Sequence, residues 1–131
     1  MTPEDRRAHP AMNTYVGSRQ NGNAIVSVVD AKTKCASMLD AGYRYVNHSP
    51  TGFEWGYLGS GPAQLAFAIL LDHCGEAGPA LLWYQDFKEQ VIANFLSNSW
   101  ELTSEEIETA LDRIRVLRSR SKSEAAWHSS T

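Results

Sequence analysis

The sequence predicts an α+β fold, a small N-terminal antiparallel sheet followed by about three C-terminal helices, and three observations predict it. Gln20-Asn21-Gly22-Asn23 lies between two strand-like runs, and Asn-Gly is a strong hairpin signal because both central residues take positive φ. From about residue 60 onward, apolar residues fall at helical rather than alternating spacing. Thr103-x-x-Glu106 then forms a capping box ahead of a last amphipathic stretch. Strands first and helices after is the α+β order.

Taken in order, residues 1–12 read as a flexible leader, with Pro3 and Pro10 and little to bury. Thr14-Tyr15-Val16-Gly17 opens the first arm of the hairpin, and the β-branched run Ala24-Ile25-Val26-Ser27-Val28-Val29 forms the second. Residues 35–39 fit either a short strand or a helical turn. Beyond Ala41-Gly42, the aromatic and β-branched Tyr43-Arg44-Tyr45-Val46 predicts a third strand, ended by Pro50. A glycine-rich loop leads into a first helix whose residues 65–71 are all apolar, and Cys74-Gly75 stops it. Pro79 starts a second helix with the stripe Tyr84, Phe87, Val91, Phe95. Trp100-Glu101-Leu102 reads as a short link. Ile107, Ala110, Leu111, Ile114 and Leu117 supply the apolar face of the third helix. Its glutamates come early and its arginines late, as the helix dipole prefers. The organisation expected is a leader over 1–12, one domain over 13–118, and a serine-rich tail over 119–131 that is disordered at its end.

With 131 residues the chain holds one modest core, and a partner subunit would help it. A net charge of −3 argues against DNA, RNA or an anionic membrane as a whole-surface partner. No N-terminal apolar segment suggests secretion and no apolar run is long enough to span a bilayer. Cys35 and Cys74 have no metal-ligand spacing, so a reduced cytoplasmic location is the default expectation.

Chemistry concentrates in the stretch from Gly52 to Gln64, which holds three aromatics, four glycines and a proline. Ser60 or Gly61 fits an N-cap and Pro62 the first turn. A helix that starts among small residues leaves backbone N–H groups facing outward, which favours an anion such as a phosphate. The plainer alternative is that the glycines only let the loop turn tightly against the core. Phe53, Trp55, Tyr57, Tyr84 and Phe87 offer rings for stacking a base or for packing. Arg113, Arg115, Arg118, Arg120 and Lys122 offer either phosphate ligands or a solvated helix end.

Familiar catalytic signatures are missing. Pro62 stands where a P-loop needs lysine, and Gln64 where a dinucleotide fingerprint needs glycine. Leu58 and Pro62 exclude a nucleophile elbow around Ser60. His73 and Cys74 are helix neighbours that point about 100° apart. His9, His48, His73 and His128 show no paired metal spacing. Neither a catalytic set, a metal site nor a cofactor is expected.

Four segments carry a resemblance: the loop-helix GFEWGYLGSGPAQLAFAILL, Tyr15-Val16-Gly17-Ser18-Arg19, Tyr84-Gln85-Asp86-Phe87-Lys88, and Trp100-Glu101-Leu102-Thr103. Over roughly residues 14–111 the chain resembles a family of small bacterial, plasmid and phage proteins of undefined function. Its layout is also similar to the phage anti-Thoeris sponge proteins. That second resemblance implies a homo-oligomer in the host cytoplasm that traps cyclic ADP-ribose isomers, and in some cases cyclic oligonucleotides, without cleaving them. It implies Tyr84, Phe87, Asn94 and Arg113 as ligand contacts. Together with the helix start, the expected ligand set is Trp55, Tyr57, Gly59, Ser60, Gly61, Tyr84, Phe87, Asn94 and Arg113. Two other classes stay open: a protein-binding inhibitor module anchored by Trp55, Tyr57 and Trp100, and an enzyme acting on a nucleotide.

Overall fold

A computed structural model describes residues 12–50 and 52–129, with 122–129 as helical backbone alone. The leader expected over 1–12 therefore lies outside the described residues except for Met12, and the end of the tail lies outside them too.

Strands β1 (Asn13–Gln20) and β2 (Asn23–Asp30) form the expected hairpin. Asn21 and Gly22 take φ of 54° and 81°, the left-handed geometry that the turn requires. β3 (Ala36–Met38) pairs with β2 and β4 (Ser99–Thr103) pairs with β1, giving an antiparallel sheet of order β3-β2-β1-β4. Among the described residues three helices follow: α1 (Ser60–Cys74), α2 (Ala77–Gln90) and α3 (Ser104–Ser129), with one 3-10 turn at Ile92–Asn94. The α+β class stands, with one strand supplied from between α2 and α3.

Two assignments change. Tyr43-Arg44-Tyr45-Val46 is a turn rather than a strand: Gly42 has φ 76°, and its carbonyl accepts the N–H groups of both Tyr45 and Val46. Aromatic content mimicked a strand there, yet Tyr43 and Tyr45 are 41% and 49% exposed. The third strand of the chain is instead Ala36–Met38, one of the two readings open for residues 35–39. Trp100-Glu101-Leu102 is no link but the middle of β4, with Trp100 opposite Gly17 and Leu102 opposite Tyr15. Helix α3 also runs on into the serine-rich stretch, past Ile114, its last buried apolar residue among the described side chains.

Alternation along the sheet places Tyr15, Val26, Val28 and Leu102 on the face turned to the helices. Residues 61–70 of α1 are all buried, so this helix runs through the core. Its end is fixed by Gly75 (φ 74°), whose N–H donates to the Leu71 carbonyl. Tyr15 Oη donates to Asp72 across to the sheet at 2.6 Å, and His73 Nε2 meets Glu108 of α3 at 2.7 Å. Arg118 reaches Asp86 of α2 at 2.6 Å. The capping box opens α3: Glu106 N–H donates to Thr103 Oγ1 (3.1 Å), and Thr103 N–H donates to Glu106 Oε1 (3.0 Å).

Candidate ligand site at the start of α1

Helix α1 begins one residue earlier than the sequence suggests. Gly59, not Ser60 or Gly61, is the N-cap, and no side chain caps it. The first helical bond runs from Ala63 N–H to the Gly59 carbonyl at 3.0 Å. Pro62 has no N–H, and those of Ser60 and Gly61 meet no acceptor among the described residues. Such unpaired donors give the helix end its partial positive charge.

Ser60 and Gly61 line a cleft of about 410 Å³, walled also by the hairpin turn (Gly22, Asn23), by Ser49, and by Glu54 and Tyr57. Two glycines shape this wall by close approach. A Cβ on Gly59 would lie 2.4 Å from the Tyr57 ring, and one on Gly61 would lie 2.7 Å from Glu54 Cβ. Tyr57 itself is 51% exposed, so its ring is available at the rim.

Glu54 lines the same cleft, and its charge is countered within the protein. Its Oε1 accepts from Arg19 Nη2 at 2.7 Å and Nε at 3.2 Å. Arg19 also donates to the Trp55 carbonyl (3.1 Å) and to Asn98 Oδ1 (2.9 Å), and its guanidinium lies 4.5 Å over the Trp55 ring. Three of the sequence segments that carried the resemblance thus meet at one corner, where β1, the 52–57 loop and β4 join. Their residues build the support behind the cleft.

The nine expected ligand residues separate into three groups. Tyr57, Ser60 and Gly61 line the cleft, with Gly59 seated against the Tyr57 ring. Trp55, Tyr84 and Phe87 are core residues, which corrects the expectation that they stack a ligand. Trp55 is 1% exposed, its Nε1 donates to the Ser97 carbonyl, and Trp100 packs edge-on against it. Phe87 is wholly buried, and Tyr84 holds its hydroxyl 2.8 Å from His48 Nε2. Asn94 and Arg113 come together, but in a different cleft of about 530 Å³ between the 3-10 turn, β4 and α3. Periodicity alone puts a ring on a helix stripe without saying whether that stripe faces the core.

Gln64 was missed. It is fully buried, and its side chain holds the 41–48 loop: Nε2 donates to the carbonyls of Ala41 (2.7 Å) and Val46 (3.0 Å), and Oε1 accepts from His48 N–H (2.7 Å). The available signal was one amide in an otherwise apolar helix, since a buried amide needs partners.

Burial pushes the Cys74 thiol up, away from the reactive thiolate. Burial, then the bond to Asp72, pushes the Tyr15 hydroxyl well above the ordinary tyrosine range. Among the described residues, no group of three or more His, Cys, Asp or Glu could hold a metal ion. None of the described helices is long and apolar enough to cross a membrane.

The sequence model of a family of unknown function, DUF6166, matches residues 15–113. The chain belongs to that family, and the match runs from β1 into α3 across both clefts. No curated protein and no solved structure matches it.

Proposed function

We propose that this protein is a non-enzymatic binding protein that holds a small phosphate-bearing ligand at the start of α1 and releases it unchanged. One observation carries the reading: Ser60 and Gly61, whose N–H groups meet no acceptor among the described residues, line a roomy cleft beside an exposed tyrosine ring. Backbone donors at a helix start suit phosphate oxygens, and Tyr57 suits stacking on a base or a ribose edge. The similarity to anti-Thoeris sponges makes a cyclic ADP-ribose isomer the first ligand to test and a cyclic oligonucleotide the second. A phage protein that sequesters such a signal would blunt host immunity, and a homo-oligomer would raise its capacity. The competing protein-binding reading loses Trp55 to the core, has Trp100 half-buried against Phe95, and keeps Tyr57 as its exposed anchor.

The test is a thermal-shift screen with cyclic ADP-ribose isomers and cyclic oligonucleotides, followed by heat denaturation and analysis of what is released. A stabilising ligand recovered intact supports sequestration, and an altered one means catalysis. Replacement of Ser60 by proline removes one donor and should weaken the stabilising ligand. If no compound in the screen shifts the melting temperature, the proposal fails. Light scattering on the same samples reads the oligomeric state.

A further inference from the structure

The cleft of about 530 Å³ beside α3 is lined by charges of both signs. Glu105 and Glu106 stand at one end of its α3 wall and Arg113 at the other, with Thr109 and Ala110 between them. Val91 and Phe95, both half-buried, give the cleft an apolar side. Glu105, Glu106, Thr109 and Arg113 are exposed, whereas Ala110 is buried. The Glu105 carboxylate and the Arg113 guanidinium make no ion pair or hydrogen bond among the described residues. Glu106 gives Oε1 to the capping box. Arg115 and Arg118 are engaged within the chain, by Asp112 and Asp86.

The order of these residues decides what the wall can pair with. Thr109 lies four positions from Glu105 and four from Arg113, and residues four apart form one ridge on a helix surface. The two charges are thus about 12 Å apart along the axis, with a small residue midway. A uniformly acidic or uniformly basic partner is repelled at one end of such a wall. A helix whose charge reverses at the same point, laid in the opposite direction, is attracted at both ends, and α3 of a second copy is such a helix. A two-fold axis at Thr109 sets each copy's Arg113 against the other's Glu105, with Glu106 alongside, and makes both pairs at once. A parallel pair would set Arg113 against Arg113.

We propose that two copies of this chain associate through this flank, their α3 helices antiparallel about a two-fold axis at Thr109. Arg113 of each copy binds the Glu105 carboxylate of the other, where the guanidinium can make two parallel hydrogen bonds. Thr109 and Ala110 at the crossing are small enough for close approach of the helices, and the helix of the second copy covers the apolar side of the cleft. The α1 entrance shares no lining residue with this cleft, so the dimer does not depend on a ligand there.

Sedimentation velocity on three full-length proteins tests this: the wild type, Arg113→Glu, and Glu105→Lys/Glu106→Gln. Glutamine at 106 keeps the capping box, the other two positions are exposed, and circular dichroism checks each fold. The wild type should be dimeric. The first variant sets acid against acid and the second base against base, so each alone should self-associate at least about tenfold more weakly. An equimolar mixture of the two should recover a dimer holding one copy of each, because the reversed charges then face one another. Thr109→Cys in a Cys35→Ser background reads the axis without altering charge, and oxidation should cross-link two copies through position 109. A wild-type chain that stays monomeric at about 100 μM, where a Kd of that size would already populate the dimer, overturns the proposal. So does a dimer that neither charge variant weakens, a mixture of folded variants that stays monomeric, or a dimer that position 109 does not cross-link.

Discussion

The side-chain oxygen of Gln64 accepts the backbone N–H of His48 at 2.7 Å, from a position in α1 with no solvent exposure. The same amide donates to two carbonyls of the loop, so one side chain meets three backbone groups that no strand or helix satisfies. His48 in turn bonds Tyr84 of α2. The loop after β3 is thereby tied to two helices through a single glutamine.

Gln64→Leu keeps the volume and removes all three bonds. With a net value of about 1 kcal/mol per bond, plus the cost of stranded backbone groups, the loss should be about 3–5 kcal/mol. Urea unfolding reads it directly. Gln64→Glu should be at least as damaging, because a carboxylate would face two carbonyl oxygens. A loss below about 1 kcal/mol would mean that the loop is held by something other than this amide.

The hairpin, the α1 stop and the capping box were legible because each depends on local chemistry: Asn21-Gly22, Gly75, and Thr103 with Glu106. The helix-start cleft was legible for the same reason, as glycines before an apolar run mark a helix entry. What the sequence hides is long-range. Trp100 pairs across β4 with Gly17, which is more than eighty positions earlier, and nothing within residues 99–103 announces that strand. Trp55 and Phe87 share the residue types of a stacking site, and only packing shows them enclosed. Arg113 carries the same charge as Arg118, yet one is unpaired beside a cleft and the other holds Asp86.

Gly17 is required by the Trp100 ring rather than by backbone conformation. A Cβ there would stand 2.2 Å from the indole, nearer than any real contact. The ring is itself stacked on Phe95 at 4.6 Å, so it has little room to retreat. Gly17→Ala should therefore cost about 2–3 kcal/mol, the overpacking range. Trp100→Leu in the same chain should recover part of it, and a double-mutant cycle measures the coupling. Additive effects would show that the two residues do not oppose one another.

Tyr15 sets an alkaline limit on stability. Burial, then the bond to Asp72, raises its hydroxyl pKa above the ordinary value near 10. The folded state therefore keeps a proton that the unfolded state releases. Its stabilisation is complete below about pH 10 and declines as pH rises above that value. One unit into that window, at about pH 11, the loss from this group is about 1.4 kcal/mol. Tyr15→Phe should start lower, having lost the bond to Asp72, but fall less between pH 8 and pH 11. Denaturant midpoints at the two pH values test the difference. Equal slopes for both proteins would place the limit on another group.

Glu54 lines the α1 entrance, and its neutralisation gives the sharpest check on the anion binding proposed there. Glu54 shares the cleft with Ser60 and Gly61, and the Arg19 guanidinium, with the Trp55 N–H at 3.3 Å, offsets its charge. Glu54→Gln removes the negative charge and leaves the Arg19 guanidinium uncompensated, so both changes make the cleft more attractive to a phosphate. At a separation of roughly 8 Å and an effective dielectric near 20, one unit charge is worth about 2 kcal/mol, less after screening by salt. A five- to thirtyfold tightening, roughly, is expected for the phosphate-bearing compound that stabilises the wild-type protein. The gain should shrink in 0.5 M salt, roughly, where charges beyond a few ångströms are screened. Both members of the pair are about a third exposed or less, and its loss should lower folding stability by no more than about 1 kcal/mol. Titration calorimetry at two salt concentrations separates the outcomes. Unchanged or weaker binding in Glu54→Gln would mean that the anion does not sit at the helix start.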